Sequence, residues 1–527
     1  MVEIKADDVS TMHPCLVECL DKITRARDAY KGSDAIKDTS ISSSYGHKGR
    51  DEEYLPKLSG QDQKDYDSYK KRAVFYAAMA RTVTALVGAI DRKPPVITSR
   101  DPVKKFLEDV TGTGVSFDEF LLGVETEVLI SGRAVVCIDR KNSTDNRPYL
   151  VWYKNEDCIN WFTETYTDFD QRLSSMVFRE EYYGRDPDNK FKQIPLDQYR
   201  EFDMVDGQVS VNIWRQEEKD GERTGTYEIF ETYAMTNRGK ALGFIPCVPI
   251  VSDGSPFGIP KPPLLDLVNV NLAHYRNSAD YEHGMHWTAL PTPWFSGLND
   301  RDANITLGSG TAIILPDPSA SAGFLEFSGA GLGKISEALK HKEGMMSALG
   351  ARMLASKMDQ STSAEVTRIN YSGETAALSN IARSISRGAT RLLRMVAIWE
   401  NKKKAEKLVV TLNEDYIDAK LTAPDLAGLI SAYQGGVMSL DTLLWNISQG
   451  ERLPQDRTIE EEMELIEAGT EKEADTAMWY EDQGVSFEGN QFSSEAGSDK
   501  REDPELSTEP TEEPLEPEST NEEEELL

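Results

Sequence analysis

Residues 261–360 constrain the fold of this chain more than any other stretch. An amphipathic segment, KPPLLDLVNVNLAHYRNSADYEHGMHW, stops at LPTPWFSG, and a second helical segment, GKISEALKHKEGMMSALGARMLASK, begins at residue 333. In the first segment Pro262 and Pro263 fall where an opening helical turn tolerates them, and Leu264, Leu267, Val268, Leu272, Tyr275 and Ala279 line one face. In the second, Ile335, Leu339, Met346, Leu349 and Met353 recur at helical spacing. Between them NITLGSGTAIILPDP reads as two short strands around Gly308 and Gly310, and AGFLEFSG as a third. Two long helices joined at one end by a compact β excursion suit an elongated assembly subunit.

The rest of the chain is read around this frame. With 527 residues, it has room for two to four domains. Residues 14–29 predict a helix with Leu16, Val17, Leu20, Ile23 and Ala26 on one side. Residues 62–91 predict one continuous helix of ~45 Å, carrying Tyr69, Ala73, Tyr76, Met79, Val83, Leu86, Val87 and Ile90 and ending before Pro94. Ser116 to Glu119 is a capping box, and Gly132 closes the helix it opens. RAVVCIDR, YLVWY, SSMVFREEYY, VSVNIWRQE and TYEIFETYAM read as strands, without the βαβ alternation of a dinucleotide fold. Residues 1–250 are therefore expected to be α+β, helices flanking a mostly antiparallel sheet, with 245–263 a stiff crossing segment. After a polar break, MDQSTSAEVTRINYSGE, the cleanest pattern in the chain predicts a third long helix at 374–403: Leu378, Ile381, Ala382, Ile385, Ala389, Leu392, Leu393, Val396 and Trp399. A strand, KLVVTLNEDY, helices at 422–433 and 439–448 and a charged helix at 456–474 follow, and the end is Glu-, Pro-, Ser- and Thr-rich.

Charge and missing motifs exclude several functions. The net charge of -32 is concentrated at the C-terminal end, where residues 455–527 hold 26 acidic and 4 basic side chains. The body is mildly acidic and lacks the basic footprint of a tight nucleic-acid binder. Such a surface either aids solubility or lets a polyanion slide past without sticking. No run approaches the ~20 apolar residues needed to cross a bilayer, and MVEIKADDVS lacks the features of a secretory signal. Five cysteines argue for a reduced compartment and against a disulfide framework. There is no GxxxxGK[ST] loop, HExxH or CxxC. His274, His283 and His286, and Cys15 with Cys19, are weighed as metal ligands and read instead as surface, interface or core residues. No catalytic constellation converges, so neither an enzyme nor a cofactor is expected. Arg383, Arg387, Arg391 and Arg394 form a row on the third long helix that suits phosphate contacts or pairing with acidic groups of a neighbouring subunit.

Three stretches carry a family likeness. They are YLPKL at 54–58 with KRAVFYAAMARTVTALVGAIDRKPP at 71–95, then PPLLDLVNVNLAHYRNSADYEHGMHWTALPTPWFSG at 262–297, and LGARMLA at 349–355 with ETAALSNIARSIS at 374–386. The chain resembles the portal, or head-to-tail connector, proteins of tailed bacteriophages, and most closely a branch of phage-related proteins of unknown function whose members are portals. The resemblance implies a portal fold with a wing (1–260), stem helices (261–289 and 329–357), a small β-containing clip (290–328) and a channel loop (358–373). It also implies a long helix returning to the wing (374–420), a helical crown (421–475) and an acidic tail (476–527). It puts Pro291, Pro293, Trp294 and Phe295 in the clip, Gln360, Ser361, Thr362, Glu365 and Arg368 in the channel loop, and Arg383, Arg387 and Arg391 on an inter-subunit helix. It further implies a homo-oligomeric ring of twelve at one capsid vertex of the virion, assembled in the host cytoplasm and threaded by double-stranded DNA. The implied partners are the terminase large subunit, a head-tail adaptor and the major capsid protein. A capsid-associated scaffold or adaptor without a channel is the competing reading.

Overall fold

Helices and strands come in blocks in this chain, and the computed structural model is accordingly α+β. It describes residues 8–37, 50–98, 100–140, 147–167, 170–186, 189–219, 222–237, 240–289, 292–297, 319–325, 329–351, 364–400, 405–414, 423–450, 452–454 and 461–469, with the single residues 402, 416, 457 and 459. The expected strands at 304–318 and the acidic tail lie outside the described residues. The chain forms two units, Met1–Ile417 and Asp418–Leu527.

The first unit opens with α1 (Pro14–Lys31), whose N-terminus is capped by the His13 imidazole accepting from the Cys15 amide. Leu16, Leu20 and Ile23 are buried against Ile159, Val177 and Tyr199, whereas Val17, expected on the same face, is 59% exposed. The expected helix 62–91 is two helices, α2 (Gln63–Arg72) and α3 (Ala78–Ile90). Periodicity alone cannot see the interruption, because the freed backbone groups are met from far away in sequence. Val74 N–H donates to Ser278 Oγ at 3.1 Å, and Asn271 Nδ2 donates to the Tyr76 carbonyl at 2.8 Å. A broken helix whose polar groups are satisfied avoids the penalty of buried unpaired amides.

β1 (Val96–Thr98) precedes α4 (Phe117–Ser131). The Ser116 hydroxyl accepts from the Glu119 amide, and Gly132 ends α4 at φ 88°, a left-handed position that a Cβ would strain. The strands are β2 (Arg133–Arg140), β3 (Pro148–Lys154), β4 (Cys158–Thr167), β5 (Asp170–Arg185), β6 (Gln193–Val205), β7 (Gln208–Lys219), β8 (Glu222–Ala234) and β9 (Cys247–Val251). β4 to β8 form an antiparallel meander, and β9-β2-β3 a second antiparallel sheet. The side chains of β5 alternate between two cores, as period two requires. Val177 meets α1, while Met176 and Phe178 join the main core. β4, β6 and β9 were not legible as strands. β6, QIPLDQYREFDMV, carries charges on its buried part that are neutralised only by tertiary partners: Arg200 bonds Glu180 at 2.7 Å and Asp139 at 3.0 Å, tying the two sheets together.

Cys137 and Cys247 stand opposite each other in the β2–β9 register and are disulfide-bonded. This corrects the expectation of a chain without disulfides. A count of five thiols carries no information about cross-strand register, which brings these two together across a separation of 110 residues.

Next come α5 (Leu265–Ala289), β10 (Thr292–Ser296), β11 (Ser321–Leu325) and α6 (Ala330–Ala351). α7 (Ala364–Trp399) buries the face expected from sequence, from Leu378 to Trp399. It begins ten residues earlier than the expected helix at 374–403. Glu365 and Arg368 therefore belong to helix rather than to a loop, which corrects the boundary of the polar break. Polarity there was mistaken for a helix stop, although no proline interrupts 364–373 and Gly373 costs a helix only about 1 kcal/mol. β12 (Val409–Thr411) then pairs with β1. In the second unit, α8 (Ala423–Gln434) and α9 (Leu440–Gln449) appear as expected, with Ser439 capping α9.

Candidate functional site

The region singled out by sequence is an antiparallel helix pair. Three contacts fix its direction. A Cβ on Gly284 would stand 2.6 Å from Leu332, His274 Nε2 lies 3.3 Å from Glu343, and a Cβ on Gly350 would stand 3.3 Å from Leu267. As positions on α5 fall, their partners on α6 rise, and the contact runs for roughly 25 Å at 1.5 Å per residue. Along residues 271–283 of α5 the pair is anchored to the α2–α3 break. Tyr69 Oη donates to Asp280 at 2.6 Å, and Phe75 meets Tyr275 edge-on. A Cβ on Gly350 would also come within 2.8 Å of Thr82 Oγ1, so side chains of α3 and α5 pack directly onto α6 here.

The glycines of α6 thus divide sharply. Gly344 has nothing within 4 Å of a built Cβ. Gly344→Ala should stabilise the chain by up to about 1 kcal/mol through helix propensity. Gly350→Ala should destabilise it by about 1–3 kcal/mol through overpacking. Urea midpoints of the two variants moving in the same direction would reject the close crossing.

At the distal end the pair continues into β10 and β11, antiparallel strands in the register Thr292↔Leu325 to Ser296↔Ser321. Trp294 lies opposite Gly323, where a Cβ would meet its indole at 3.1 Å. Met285, Trp287, Trp294, Phe324 and Leu325 are all exposed here, a dense set of large apolar side chains. Gly284, Trp287, Thr288 and Gly329 line an apolar hollow of about 420 Å³ beside them. Of the expected clip residues, Pro293, Trp294 and Phe295 lie on β10, and Pro291 lies outside the described residues. Gln360, Ser361 and Thr362 also lie outside them, between α6 and α7.

The histidines turn to different partners. His274 is buried against Glu343, whereas His283 Nδ1 lies 3.2 Å from Arg72 and its Nε2 accepts from Trp287 at 3.0 Å. Burial, with Arg72 beside it, lowers the pKa of His283 from its ordinary value, so the ring is neutral near pH 7. Among the described residues no group of three or more His, Cys, Asp or Glu is placed to hold a metal ion.

The arginine row of α7 divides as well. Arg383 is paired within the chain to Glu414 at 2.7 Å, and Arg394 Nε donates to the Leu408 carbonyl at 2.9 Å. Arg387 and Arg391 are exposed. Arg387 lines a cleft of about 520 Å³ with Lys261, Asp253 and Arg383. Arg391 lines another of about 500 Å³ with Arg172, Glu164 and Cys247. No described helix is long and apolar enough to cross a membrane. Sequence reasoning missed the glycine crossings and the α2–α3 anchor; the only available signal was Gly at 284 and 350 inside otherwise regular helices.

Comparison with known proteins finds a match over this same region. A profile described as a domain of unknown function, DUF4055, matches residues 263–400, from the start of α5 to the end of α7. No curated protein matches the chain. Among solved structures, the chain is similar to one in the virion of a native gene transfer agent particle, at 12% identity and TM-score 0.36, over 73% of this chain and 91% of that one. It is similar also to one in the neck of the empty particle computed with C6 symmetry, at 12% identity and TM-score 0.37, over 76% and 96% of the two chains. A third is in the neck of the native particle computed with C12 symmetry, at 12% identity and TM-score 0.35, over 73% and 93%.

Proposed function

We propose that this chain is the subunit of a phage-type portal, a ring that conducts double-stranded DNA through one capsid vertex. The observation that carries the reading is the antiparallel α5–α6 pair, braced along α5 by the α2–α3 break and bearing at its distal end a two-stranded sheet and exposed aromatics. A rigid pair of this kind suits a stem packed side by side with its copies, and an apolar tip suits a docking end. The sequence resemblance of 54–58, 71–95, 262–297, 349–355 and 374–386 to portals supports the same assignment.

In this reading β10, β11 and the residues between them are the clip, which docks first the terminase large subunit and later a head-tail adaptor. Gln360, Ser361 and Thr362 belong to the segment that faces the channel, and Glu365 and Arg368 lie beside it in the first turns of α7. The major capsid protein surrounds the ring. The chain is a passive conduit and docking platform, with force supplied by a separate motor. Its mildly acidic body limits adhesion of the duplex, since like charge is repelled. Basic residues in the lumen make only salt-sensitive, sequence-independent contacts.

Particle images of the purified protein viewed along its axis test the reading. Twelve lobes around a hole wide enough for a duplex are the expected result. Compact oligomers without a lumen would instead favour a scaffold or adaptor. Deleting residues 354–362 should leave the rings intact while reducing packaged or retained DNA at least tenfold. Normal DNA content in such particles would remove the channel-loop assignment.

A further inference from the structure

We infer that the Cys137–Cys247 bond is a redox-governed clasp, open as a dithiol while the chain assembles and closed in the released particle. Three observations meet at this bond. First, the two cysteines are direct cross-strand neighbours on β2 and β9, so closing the bond needs no rearrangement of the sheet. Second, the loop it closes spans 110 residues and contains the whole β4–β8 meander, so the bond pins that module at its base. Third, Cys247 lines the cleft of about 500 Å³ that Arg172 and Arg391 also line, while Cys137 does not. Cys247, itself 2% exposed, is therefore the member of the pair that borders a cleft, and a small reagent approaches the buried bond from its side.

The chemistry is thiol–disulfide exchange with a low-molecular-weight disulfide as oxidant. The Cys247 thiolate attacks one sulfur of the reagent, whose S–S bond breaks to leave a mixed disulfide and one thiolate. The Cys137 thiolate then attacks the Cys247 sulfur and expels the second. Two cysteine thiols and one disulfide become one protein disulfide and two small thiols, the cysteine protons passing to the leaving groups. Reducing cytoplasm keeps the pair open, and oxidising surroundings close it. The timing rests on the reading of the chain as a virion component; the chemistry does not.

The β9 strand gives the clasp a structural consequence. β9 packs against α7, where a Cβ on Gly388 would lie 2.7 Å from Ile250, and the chain leaves β9 towards α5. Locking β9 to β2 therefore stiffens the root of both long helices. Purified full-length protein, reduced and then dialysed against oxidised glutathione, tests the bond. After denaturation and alkylation, mass spectrometry should find three alkylated cysteines in place of five, and one linked peptide pair joining Cys137 to Cys247. The oxidised protein should melt about 5 °C or more higher, as closing a long loop predicts. That shift should be absent in Cys247→Ser. Five alkylated cysteines, a linkage through Cys15, Cys19 or Cys158, or an equal shift in Cys247→Ser would each overturn the clasp. If Cys247→Ser fails to fold, the wild-type peptide map decides alone. Alkylation inside cells before lysis should find all five thiols free, and a bond already present there would overturn the timing. None of these outcomes depends on ring formation, so the clasp and the portal reading fail separately.

Discussion

Arg27→Met is expected to destabilise the first unit by about 3–5 kcal/mol, among the largest effects any single substitution should have in this chain. Arg27, its side chain 11% exposed, lies at the meeting of α1, α4 and the turn after β3. Its guanidinium lies 2.6 Å from Glu127 and makes an ion pair with Glu156. Burial pushes the carboxyl of Glu127 up, and Arg27 pulls it back. Remaining lone pairs are well used: Glu127 Oε1 accepts from Ser131 Oγ at 2.6 Å and from the Asn155 amide at 3.2 Å. Methionine keeps the stem of the side chain but leaves two carboxylates in a low-dielectric site with no counter-charge. Replacing the carboxylates as well, in Arg27→Met/Glu127→Gln/Glu156→Gln, should recover most of the loss, because the cost comes from uncompensated charge and not from the pair's own attraction. Denaturant titrations near pH 7 measure both variants. A single variant within 1 kcal/mol of wild type, or a triple variant as unstable as the single, would reject this account.

That cluster also shows which parts of the fold were legible in sequence. The buried face of α7 follows from residues three and four apart, and the ends of α4 follow from Ser116 and Gly132, because each signal is local. What joins distant segments was not legible. Arg27 meets Glu127 across 100 positions, and Val74 finds Ser278 across 204. β6 hides its strand pattern behind Arg200, whose charge is tolerable only beside Glu180 and Asp139. In the candidate site, the helix pair and its β connection were visible as periodicity ended by breakers. Its close crossing at Gly350 was not, since a glycine in a helix looks the same whether it faces Thr82 or solvent. Glu365 and Arg368 were misplaced for a related reason: polar residues are compatible with a solvated helix as well as a loop.

Glu125 should make the stability of the first unit fall with rising pH between about 4.5 and 8. The residue lies on α4 facing the end of α3, is 2% exposed, and has one carboxylate oxygen without a hydrogen-bond partner. Burial, and then the nearby charge of Asp91, push its pKa from the ordinary 4.5 up to about 8. Below pH 4.5 folded and unfolded chains both hold the proton, so the group contributes no difference. Between 4.5 and 8 only the folded chain holds it, and folding must take up a proton at a cost of about 1.4 kcal/mol per pH unit. Above pH 8 the cost levels off at up to about 5 kcal/mol. Asp91 acts in the same direction, since burial and Asp118 raise its pKa as well. Glu125→Gln removes the charge at nearly constant volume. It should therefore be close to neutral at pH 5 and stabilise by several kcal/mol at pH 8. The junction concerned is the one that holds the chain returning from α7, where Asn413 Nδ2 donates to the Ala89 carbonyl at 3.0 Å and β12 pairs with β1. Urea midpoints of wild type and variant at pH 5, 6.5 and 8 measure the difference. Parallel profiles at all three would show that Glu125 is already ionised in the native state, solvated by water that the burial of its oxygens does not suggest.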